Sequence, residues 1–285
     1  MSRSGIAGID HLLMPVRDLE AARMAWTRLG FALSTRGTHL GRGTGNYCIM
    51  FAQDYLELFG ILTPDLAAPE YRAFLQEREG PMKLAWATPH AGSAATALAA
   101  LGIEAGPVRD LARQIELPEG TAVPRFSLLA LAPDTTPGLD SFLCAHLTPE
   151  LMRRREWLDH PNSAVGLAGV TVAVADTRPL IAPYERLFGP ANLHMTDDVL
   201  TLRVGRHRII FATADDVAVM HPEIDESPAA IPSIAVVTIR VRDIERTADH
   251  LAQWQVPYES AGRNAVIVPS AEANGALLEF VAMPG

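Results

Sequence analysis

The sequence predicts an α+β fold in which one β-α-β-β-β module occurs four times. Short alternating apolar runs, which are typical of strands, are each followed by apolar residues at helical spacing. In addition, the segments in which a strand passes into a helix can be laid over one another, namely VRDLEAA (16–22), VADTRPL (174–180) and VRDIERT (241–247). A unit that recurs along a chain indicates a repeat architecture, and 285 residues are enough for two domains with their own cores.

The first module begins with GIDHLLMPVRDLEAA, residues 8–22. Strict alternation predicts a strand with Ile9, His11, Leu13 and Pro15 on one face and Leu12, Met14 and Val16 on the other. Asp18 suits the N-cap of the following helix, because its carboxylate can accept hydrogen bonds from the free amides of the first turn. Gly30 suits the end of that helix, since glycine tolerates a positive φ. The strand therefore presents one histidine on an otherwise apolar face.

The other predicted elements follow the same order. In the first half, strands are predicted at 31–35, 47–52, 55–61, 83–87, 108–116, 123–131 and 141–147, helices at 69–77 and 91–101, and a glycine-rich loop at 37–46. In the second half, a strand and a helix capped by Asp176 occupy 166–189, strands are predicted at 199–204, 207–213, 234–241, 258–260, 265–268 and 276–282, and a helix capped by Asp243 at 244–255. These patterns divide the chain into domains at 1–148 and 166–285, joined by a linker at 149–165.

Composition argues against several classes of function. The net charge is −9, from 24 basic and 33 acidic residues, so nucleic acid is not an expected partner. The first residues, MSRSGIAG, lack the apolar core of a signal peptide, and no apolar stretch is long enough to cross a bilayer, so no membrane partner is expected. The two cysteines, Cys48 and Cys144, form no CxxC pair, which favours a cytoplasmic protein without a disulfide framework.

Three segments carry a resemblance to a known superfamily: GIDHLLMPVRDLEAA, HLGRGTGN (39–46) and YLELFGI (55–61). With the order of the elements, they resemble the glyoxalase-like branch of the vicinal oxygen chelate superfamily, which includes glyoxalase I, extradiol dioxygenases, fosfomycin-resistance enzymes and bleomycin-binding proteins. The resemblance implies that paired modules form eight-stranded cups. It also implies a divalent metal held by the first and last strands of the modules, with open positions that substrate oxygens chelate.

His11 and Glu57 match the family's metal-binding positions on the first and last strands of the first module. The residue pattern agrees, because Glu57 shares a strand face with Tyr55 and Phe59 while its leucine neighbours point the other way. A carboxylate among aromatic side chains is costly to bury unless it is paired or binds a cation. The alternative is a His–Glu hydrogen bond in a cup without a metal.

The third metal ligand is expected from the second module. The overlay of the modules places Leu84 in the position of His11, so the first strand of that module offers no ligand. On its last strand, Cys144 and His146 share a face, and His146 would complete a set of two histidines and one carboxylate that suits Fe²⁺, Mn²⁺, Ni²⁺ or Zn²⁺. The alternatives are that His146 caps the strand end near the surface and that Cys144 is a small buried apolar residue.

A substrate site is expected in the same cup. His39, Thr44 and Asn46 belong to the glycine-rich loop, whose backbone can approach a ligand closely, although a plain hairpin connection is the alternative. The expected aromatic lining consists of Tyr55, Phe59, Phe142 and Trp86.

The second half lacks the expected metal ligands. Gly169 and Val236 stand in the place of the histidine, and Ile209 stands in the place of the glutamate. Glu279 alone resembles that glutamate, as a relic or a hydrogen-bonded buried acid. A basic hairpin, read as a solvated turn, contains Arg203, Arg206, His207 and Arg208. We therefore expect a degenerate domain that serves as a scaffold or as the surface of a homodimer.

The function predicted from these observations is that of a divalent-metal-dependent glyoxalase-like enzyme acting on a small substrate with vicinal oxygens. The metal would act as a Lewis acid, and Glu57 would bind it or move a proton between carbon atoms. Lyase, isomerase and ring-opening dioxygenase chemistry all stay open. The alternative is a protein that binds a small molecule without turnover, as bleomycin-binding relatives do, and the missing ligand at Leu84 favours it.

Overall fold

The computed structural model describes residues 3–223 and 225–283, which form two β-sheets and their helices. The strands of the first sheet are β1 (Gly8–Pro15), β2 (Gly37–His39), β3 (Thr44–Met50), β4 (Tyr55–Ile61), β5 (Lys83–Ala87), β6 (Ala105–Leu117), β7 (Gly120–Ala122), β8 (Arg125–Leu131) and β9 (Ser141–His146). Their order is β2-β3-β4-β1-β5-β9-β8-β6-β7, and a further pairing of β2 with β6 closes the sheet. β1 runs parallel to β4 and antiparallel to β5, so the two modules meet at β1 and β5.

The second sheet repeats this plan. Its strands are β10 (Ala164–Ala173), β11 (Leu193–Thr196), β12 (Val199–Val204), β13 (His207–Ala212), β14 (Ser233–Val241), β15 (Glu259–Ala261), β16 (Ala265–Val268) and β17 (Leu277–Ala282). Their order is β11-β12-β13-β10-β14-β17-β16-β15. β10 runs parallel to β13 and antiparallel to β14, which is how β1 pairs in the first sheet. The predicted α+β fold of repeated modules is confirmed.

Of the predicted caps, Asp18 and Asp243 begin α-helices, whereas Asp176 accepts from the amide of Arg178 in a short 3₁₀ turn. The α-helices are α1 (Leu19–Arg28), α2 (Pro69–Glu77), α3 (Ala91–Ala100), α4 (Arg155–Leu158), α5 (Ile181–Phe188), α6 (Ala214–Met220) and α7 (Ile244–Gln253). Asp18 accepts hydrogen bonds from two amides of α1, and Asp243 accepts one from α7, which stabilises otherwise unpaired donors. No helix in the described residues is long and apolar enough to cross a membrane.

One hydrophobic core contains side chains from both halves of the chain. Phe31 stacks on Phe280 with ring centroids 6.0 Å apart, and Trp86 packs on Phe188 at 5.4 Å. Each large apolar side chain that is fully buried contributes about 2 kcal/mol through removal of its surface from water. On β4, Leu56 and Leu58 lie in this core. Tyr55, Glu57 and Phe59 alternate with them and line a cup on the opposite face.

A buried His–Asp pair joins the first strands of the two halves. The Nδ1 atom of His207 accepts a hydrogen bond from the amide of Ile9 at 3.0 Å, which leaves Nε2 as the donor to Asp54, also at 3.0 Å. The other carboxylate oxygen of Asp54 accepts from the amide of Leu167 at 2.8 Å. Asp54 and His207 are 0% and 4% exposed as side chains, so these bonds are made away from water.

The segment predicted as a linker is packed rather than extended. It contains the short helix α4, whose Trp157 is buried. His160 accepts from the amide of Ala32 at 3.0 Å through Nδ1 and donates to the carbonyl of Met50 at 3.0 Å through Nε2. Burial lowers the pKa of His160 to about 4, so its imidazole is neutral at physiological pH.

Several predicted boundaries are wrong. Residues 31–35 form no strand, because Ser34 instead bonds Cys48 of β3 through both its amide and its hydroxyl. The loop predicted at 37–46 contains β2 and the beginning of β3. The strands β7 and β11 and the helix α6 were not predicted. α6 carries a capping box, in which Thr213 and Asp216 satisfy each other's amides.

Candidate functional site

The concave face of the first sheet surrounds a cavity of about 500 Å³. Its aromatic lining residues are Tyr55, Phe59, Tyr71, Phe126 and Phe142. Its polar lining includes His11, His39, Thr44, Glu57 and Arg113. Tyr71 comes from α2, so the connector between the modules covers part of the cup. Trp86 lies instead in the core, where its indole donates to Ser141 at 2.9 Å, so its predicted place in the cup is wrong.

His11 and Glu57 lie next to each other inside this cavity. They come from the neighbouring parallel strands β1 and β4, in which His11 pairs with Tyr55 and Leu13 with Glu57. The Nε2 atom of His11 is 3.5 Å from Oε2 of Glu57, and the two residues are 4% and 5% exposed. Tyr55 stacks on His11 with centroids 4.5 Å apart, and Phe142 packs edge-on at 5.6 Å. The aromatic rings therefore fix the orientation of the imidazole.

Asp10 is a site residue that the alternating pattern missed. Strict alternation turns the side chain of residue 10 away from that of His11, but the pairing of β1 with β5 shifts register between Ile9 and His11. This irregularity is a bulge, which re-aims a side chain. Ile9 enters the core, and Oδ1 of Asp10 reaches Nδ1 of His11 at 2.7 Å. An acid directly before a strand histidine was the available signal.

Two carboxylates lie on opposite ring nitrogens of His11. Nδ1–H donates to Asp10, and Nε2 faces the carboxylate of Glu57. Burial raises the pKa of Asp10, but the imidazoles of His146 and His11 outweigh it and hold the pKa well below its usual range. Asp10 is therefore a carboxylate that accepts from two histidines.

Glu57 is surrounded by donors. The amide of Asn46 donates to Oε1, His39 Nε2 lies 3.4 Å from the same oxygen, and an Arg113 nitrogen lies 3.8 Å from it. Burial raises the pKa of Glu57, whereas His39, His11 and Arg113 lower it, and the result is a pKa of about 2. Glu57 is therefore ionised at neutral pH although it is buried.

The residues of the glycine-rich segment form a connected network behind Glu57. His39 Nδ1 lies 3.0 Å from the hydroxyl of Thr44, and His39 Nε2 lies 3.4 Å from the amide nitrogen of Asn46. Gly37 faces this amide so closely that a Cβ atom there would lie 2.4 Å from Oδ1 of Asn46. The Asn46 Oδ1 atom has no hydrogen-bond partner in the described residues.

His146 contacts the same carboxylate oxygen of Asp10 as His11 does. Its Nε2 atom is 3.1 Å from Oδ1 of Asp10, and its buried Nδ1 atom has no partner in the described residues. Asp10, Cys144 and His146 each offer a ligand atom within 4.8 Å of the others, the one such His/Cys/Asp/Glu trio in residues 3–223 and 225–283. The structure thus brings His11 to Glu57 and His146 to Asp10. A shared ion among His11, Glu57 and His146 stays a prediction.

The strand pairing corrects which residues of the second module match the first. The N-caps Asp18 and His90 belong to helices of equal length and align Lys83 with His11, so the predicted match of Leu84 to His11 is off by one. Lys83 offers no ligand, because its ammonium pairs with Glu70 and Asp140. Phe142, paired with Ala85, takes the place that Glu57 has in the first module, and Cys144 pairs with Ala87 one pair further along. Burial raises the pKa of Cys144 well above its usual value, so it is a neutral thiol.

Arg113 is a second site residue that sequence reasoning missed. Its side chain is 2% exposed, and its two terminal nitrogens lie 3.1 Å from the Cys48 sulfur and 2.9 Å from the Met152 sulfur. Its Nε atom has no partner in the described residues. Within the long strand β6 it reads as an ordinary exposed arginine. The pairing of β6 with β2, which places it beside His39, carries no signal in the sequence.

The second half keeps one predicted match and corrects another. Asp18 and Asp243 cap helices of equal length, which aligns Val236 with His11. Thr238 pairs with Glu279 as Leu13 pairs with Glu57, so Glu279 is the counterpart of the glutamate in the fourth module. Thr171 pairs with Ile210, as Leu13 pairs with Glu57, so Ile210 and not Ile209 is the counterpart of the glutamate. Glu279 is half-buried and accepts a hydrogen bond from Thr238 at 2.8 Å.

A family model described as "Glyoxalase-like domain" matches residues 9–188, which include β1, β4 and the cup between them. The chain belongs to the glyoxalase-like family. The predicted membership of the vicinal oxygen chelate superfamily is confirmed with it, and enzymes of this superfamily typically use a divalent metal. No curated protein matches the chain.

Solved structures share the fold of this glyoxalase-like protein at low sequence identity. A hypothetical protein from Staphylococcus aureus aligns with a TM-score of 0.69 at 12% identity, covering 96% of this chain and 99% of its own. A mutant of 4-hydroxymandelate synthase from Streptomyces coelicolor gives 0.60 at 15% identity, covering 100% and 94%. A xylose isomerase-like TIM barrel/4-hydroxyphenylpyruvate dioxygenase fusion protein gives 0.56 at 14%, covering 98% of this chain and 49% of its own.

Proposed function

We propose that the first cup is the active site of a divalent-metal-dependent enzyme that acts on a small substrate with two adjacent oxygens. One observation carries this proposal: the Nε2 atom of His11 and the ionised carboxylate of Glu57 face each other at 3.5 Å inside the buried cup. An imidazole nitrogen and a carboxylate placed this way need a proton or a cation between them.

The donor set fits a divalent cation. His11 and Glu57 would hold it, with His146 as the expected third ligand. A histidine ligand typically donates its other ring nitrogen to a carboxylate, which fixes its orientation, and Asp10 occupies that place at 2.7 Å. A bound ion would polarise the adjacent oxygens of the substrate as a Lewis acid.

The side chains of this chain have separate tasks in such a reaction. Phe59, Phe126 and Phe142 would hold the apolar body of the substrate and keep water out. His39, with Thr44 on one ring nitrogen and the site on the other, is placed to hold or move a proton at its Nε2 atom. Arg113 would balance the charge of an anionic substrate oxygen.

The reaction type is the finer part of the proposal. The 4-hydroxymandelate synthase and dioxygenase-fusion neighbours favour oxygen-consuming chemistry over isomerisation. Oxygen uptake in the presence of small aromatic 2-oxo acids and catechols, compared with isomerisation of hemithioacetals, separates these two classes. If neither 2-oxo acids nor catechols cause oxygen uptake, isomerase or lyase chemistry would be the proposal that is left.

Metal content tests the proposal directly. We expect about one divalent ion per chain by elemental analysis, and at least about a tenfold lower affinity in His11→Ala and Glu57→Gln. His194→Ala is the matched control, because His194 is exposed on β11. Equal metal affinity in all four proteins would show that the cup does not hold the ion.

A second candidate is binding without turnover. The second module has Lys83 and Phe142 at the positions equivalent to His11 and Glu57, and neither is a metal ligand. A chain that binds a small aromatic molecule in the cup but holds no metal and converts no substrate would support this candidate.

A further inference from the structure

The concave face of the second sheet holds a cavity of about 800 Å³ whose charge is opposite to that of the protein. The charged residues that line it are Arg206, Arg208, Arg240 and Glu279, which sum to +2 (three positive, one negative). The whole chain carries −9. A basic hollow on an acidic protein concentrates anions, because the field of clustered charges extends into the hollow.

Arg240 is held in a fixed position at the wall of this cavity. Its guanidinium donates to the backbone carbonyls of Leu167 and Arg206, and lies 3.4 Å from that of Ala168. Burial lowers the pKa of Arg240, Asp54 raises it, and the charges of Arg206 and Arg208 lower it, yet a guanidinium remains protonated at neutral pH. An anion between the three arginines would reduce the repulsion among them.

Arg206 and Arg208 are exposed, and their side chains form no hydrogen bond or ion pair within the part of the chain that the structure describes. Both nevertheless line the same cavity as Arg240. Arg203 pairs across the strands with Arg208, so a fourth guanidinium lies on this face. By contrast, Arg178, an exposed arginine elsewhere in this half, forms an ion pair with Asp198 at 3.1 Å.

Two hydrogen-bonding side chains line the same cavity as the arginines. Glu279 accepts from Thr238 at 2.8 Å and keeps acceptor capacity for a hydroxyl or amine group. A ligand in the hollow therefore has both cationic and hydrogen-bonding partners.

We propose that the second cup binds a small organic oxyanion, a phosphate or carboxylate group, between Arg206, Arg208 and Arg240. The planar guanidinium matches both groups through paired hydrogen bonds, which are stronger than neutral ones. Glu279 orients a hydroxyl or amine carried by the same ligand. The half that lacks the metal-ligand pattern is thus a second binding domain.

Calorimetric titration of the full-length protein at low ionic strength tests this, with inorganic pyrophosphate as the phosphate probe and citrate as the carboxylate probe. We expect one site, and a dissociation constant at least about tenfold higher in the double variant Arg206→Gln/Arg208→Gln. The Arg178→Gln variant removes an exposed arginine elsewhere on the same half and should stay within about twofold. Whichever probe binds more tightly identifies the class of anion.

Both probes also chelate metals, so the titration is repeated with Glu57→Gln. Binding that persists in Glu57→Gln and weakens in the double arginine variant supports the second cup. Binding lost in Glu57→Gln, equal affinity in the wild type and the double variant, or no heat with either probe overturns the proposal. Thermal unfolding of each variant, including Glu57→Gln, confirms that the substitutions leave the fold intact.

Discussion

In the first cup, a bulge of β1 carries Asp10 and is followed by His11, whereas the matching bulge of β10 carries Ala168 and is followed by Gly169. Both bulges lie in the antiparallel pair that joins two modules. In one half, the extra residue supplies a carboxylate that orients a histidine. In the other half, the same backbone irregularity carries no side chain that could bind a metal.

Close backbone packing at Gly169 excludes a histidine from this position of the second cup. A Cβ atom at this position would lie 1.7 Å from the carbonyl oxygen of Arg208. The β13 strand therefore approaches β10 more closely than any residue but glycine permits. One backbone plan thus accommodates a cluster of histidines and carboxylates in the first cup and an arginine-lined cavity in the second. The distance between the first strand and its parallel neighbour differs between the two.

The largest effect is expected from adding a methyl group at that contact. Gly169→Ala should lower the free energy of unfolding by more than about 3 kcal/mol, because the strands must separate to admit the Cβ atom. Gly166→Ala, in the same strand, is the control, since its Cβ would lie 3.6 Å from Asp54 in ordinary contact. Chemical denaturation of both variants gives the comparison. Similar stabilities would show that the close approach does not constrain residue 169.

The buried pair between the halves is the next test. Asp54→Ala should cost about 3 kcal/mol, because it leaves His207 Nε2 and the Leu167 amide without a partner away from water. Asp65→Ala is the control, because Asp65 is exposed, and it should change the free energy of unfolding by less than about 0.5 kcal/mol. If Asp54→Ala unfolds like the wild type, the two halves are not joined through this pair.

The buried His160, in the segment that connects the two halves, makes the stability of the fold sensitive to acid. Its pKa is about 4 when folded and 6.5 when free, so the unfolded chain binds the proton more readily between these values. The contribution of His160 is therefore fully present above pH 6.5 and is lost as the pH falls toward 4, by about 2 to 3 kcal/mol. Nearby Asp159 opposes the shift and Arg242 adds to it.

Denaturation between pH 7 and pH 4 checks this for the wild type and His160→Gln. The variant lacks the titrating group, so its stability should fall less steeply over that interval. Parallel curves for the two proteins would contradict a neutral buried His160.

The smallest expected effect is a change of metal affinity when the residue carried by each bulge is replaced. If the first cup holds a metal, Asp10→Asn should weaken metal affinity by about 10- to 100-fold, because the amide orients His11 less firmly than a carboxylate. Ala168→Asp in the second cup should create no metal affinity, since the residue after it is glycine. Metal titration of both variants measures this, and an unchanged affinity in Asp10→Asn would remove Asp10 from the proposed site.

The sequence predicts the modules well because caps and alternation are local. The caps at Asp18 and Asp243 and the strands 83–87, 199–204 and 265–268 lie where they were expected. Segments such as α6 were missed, although the Thr213 capping box was readable.

Errors in the candidate site come from non-local geometry. The bulge of β1 concealed Asp10. Overlays that were one residue out of register assigned Leu84 and Ile209, which lie in the core, to positions that face the cups. Arg113 reaches Glu57 only because β6 closes the sheet against β2, a pairing between distant segments that no local pattern specifies. The proximity of His11 and Glu57 was predictable because neighbouring parallel strands place equivalent residues on one face.

Main-chain hydrogen bonds between β2 and β6 fasten the first module to the second around the circumference of the sheet. This pairing opposes separation of the two modules. Leu40 and Leu66 border the cavity and are 49% and 59% exposed, so the edge of the cup is apolar. A ligand of the proposed enzyme would therefore contact these two leucines before it reached the polar side chains inside.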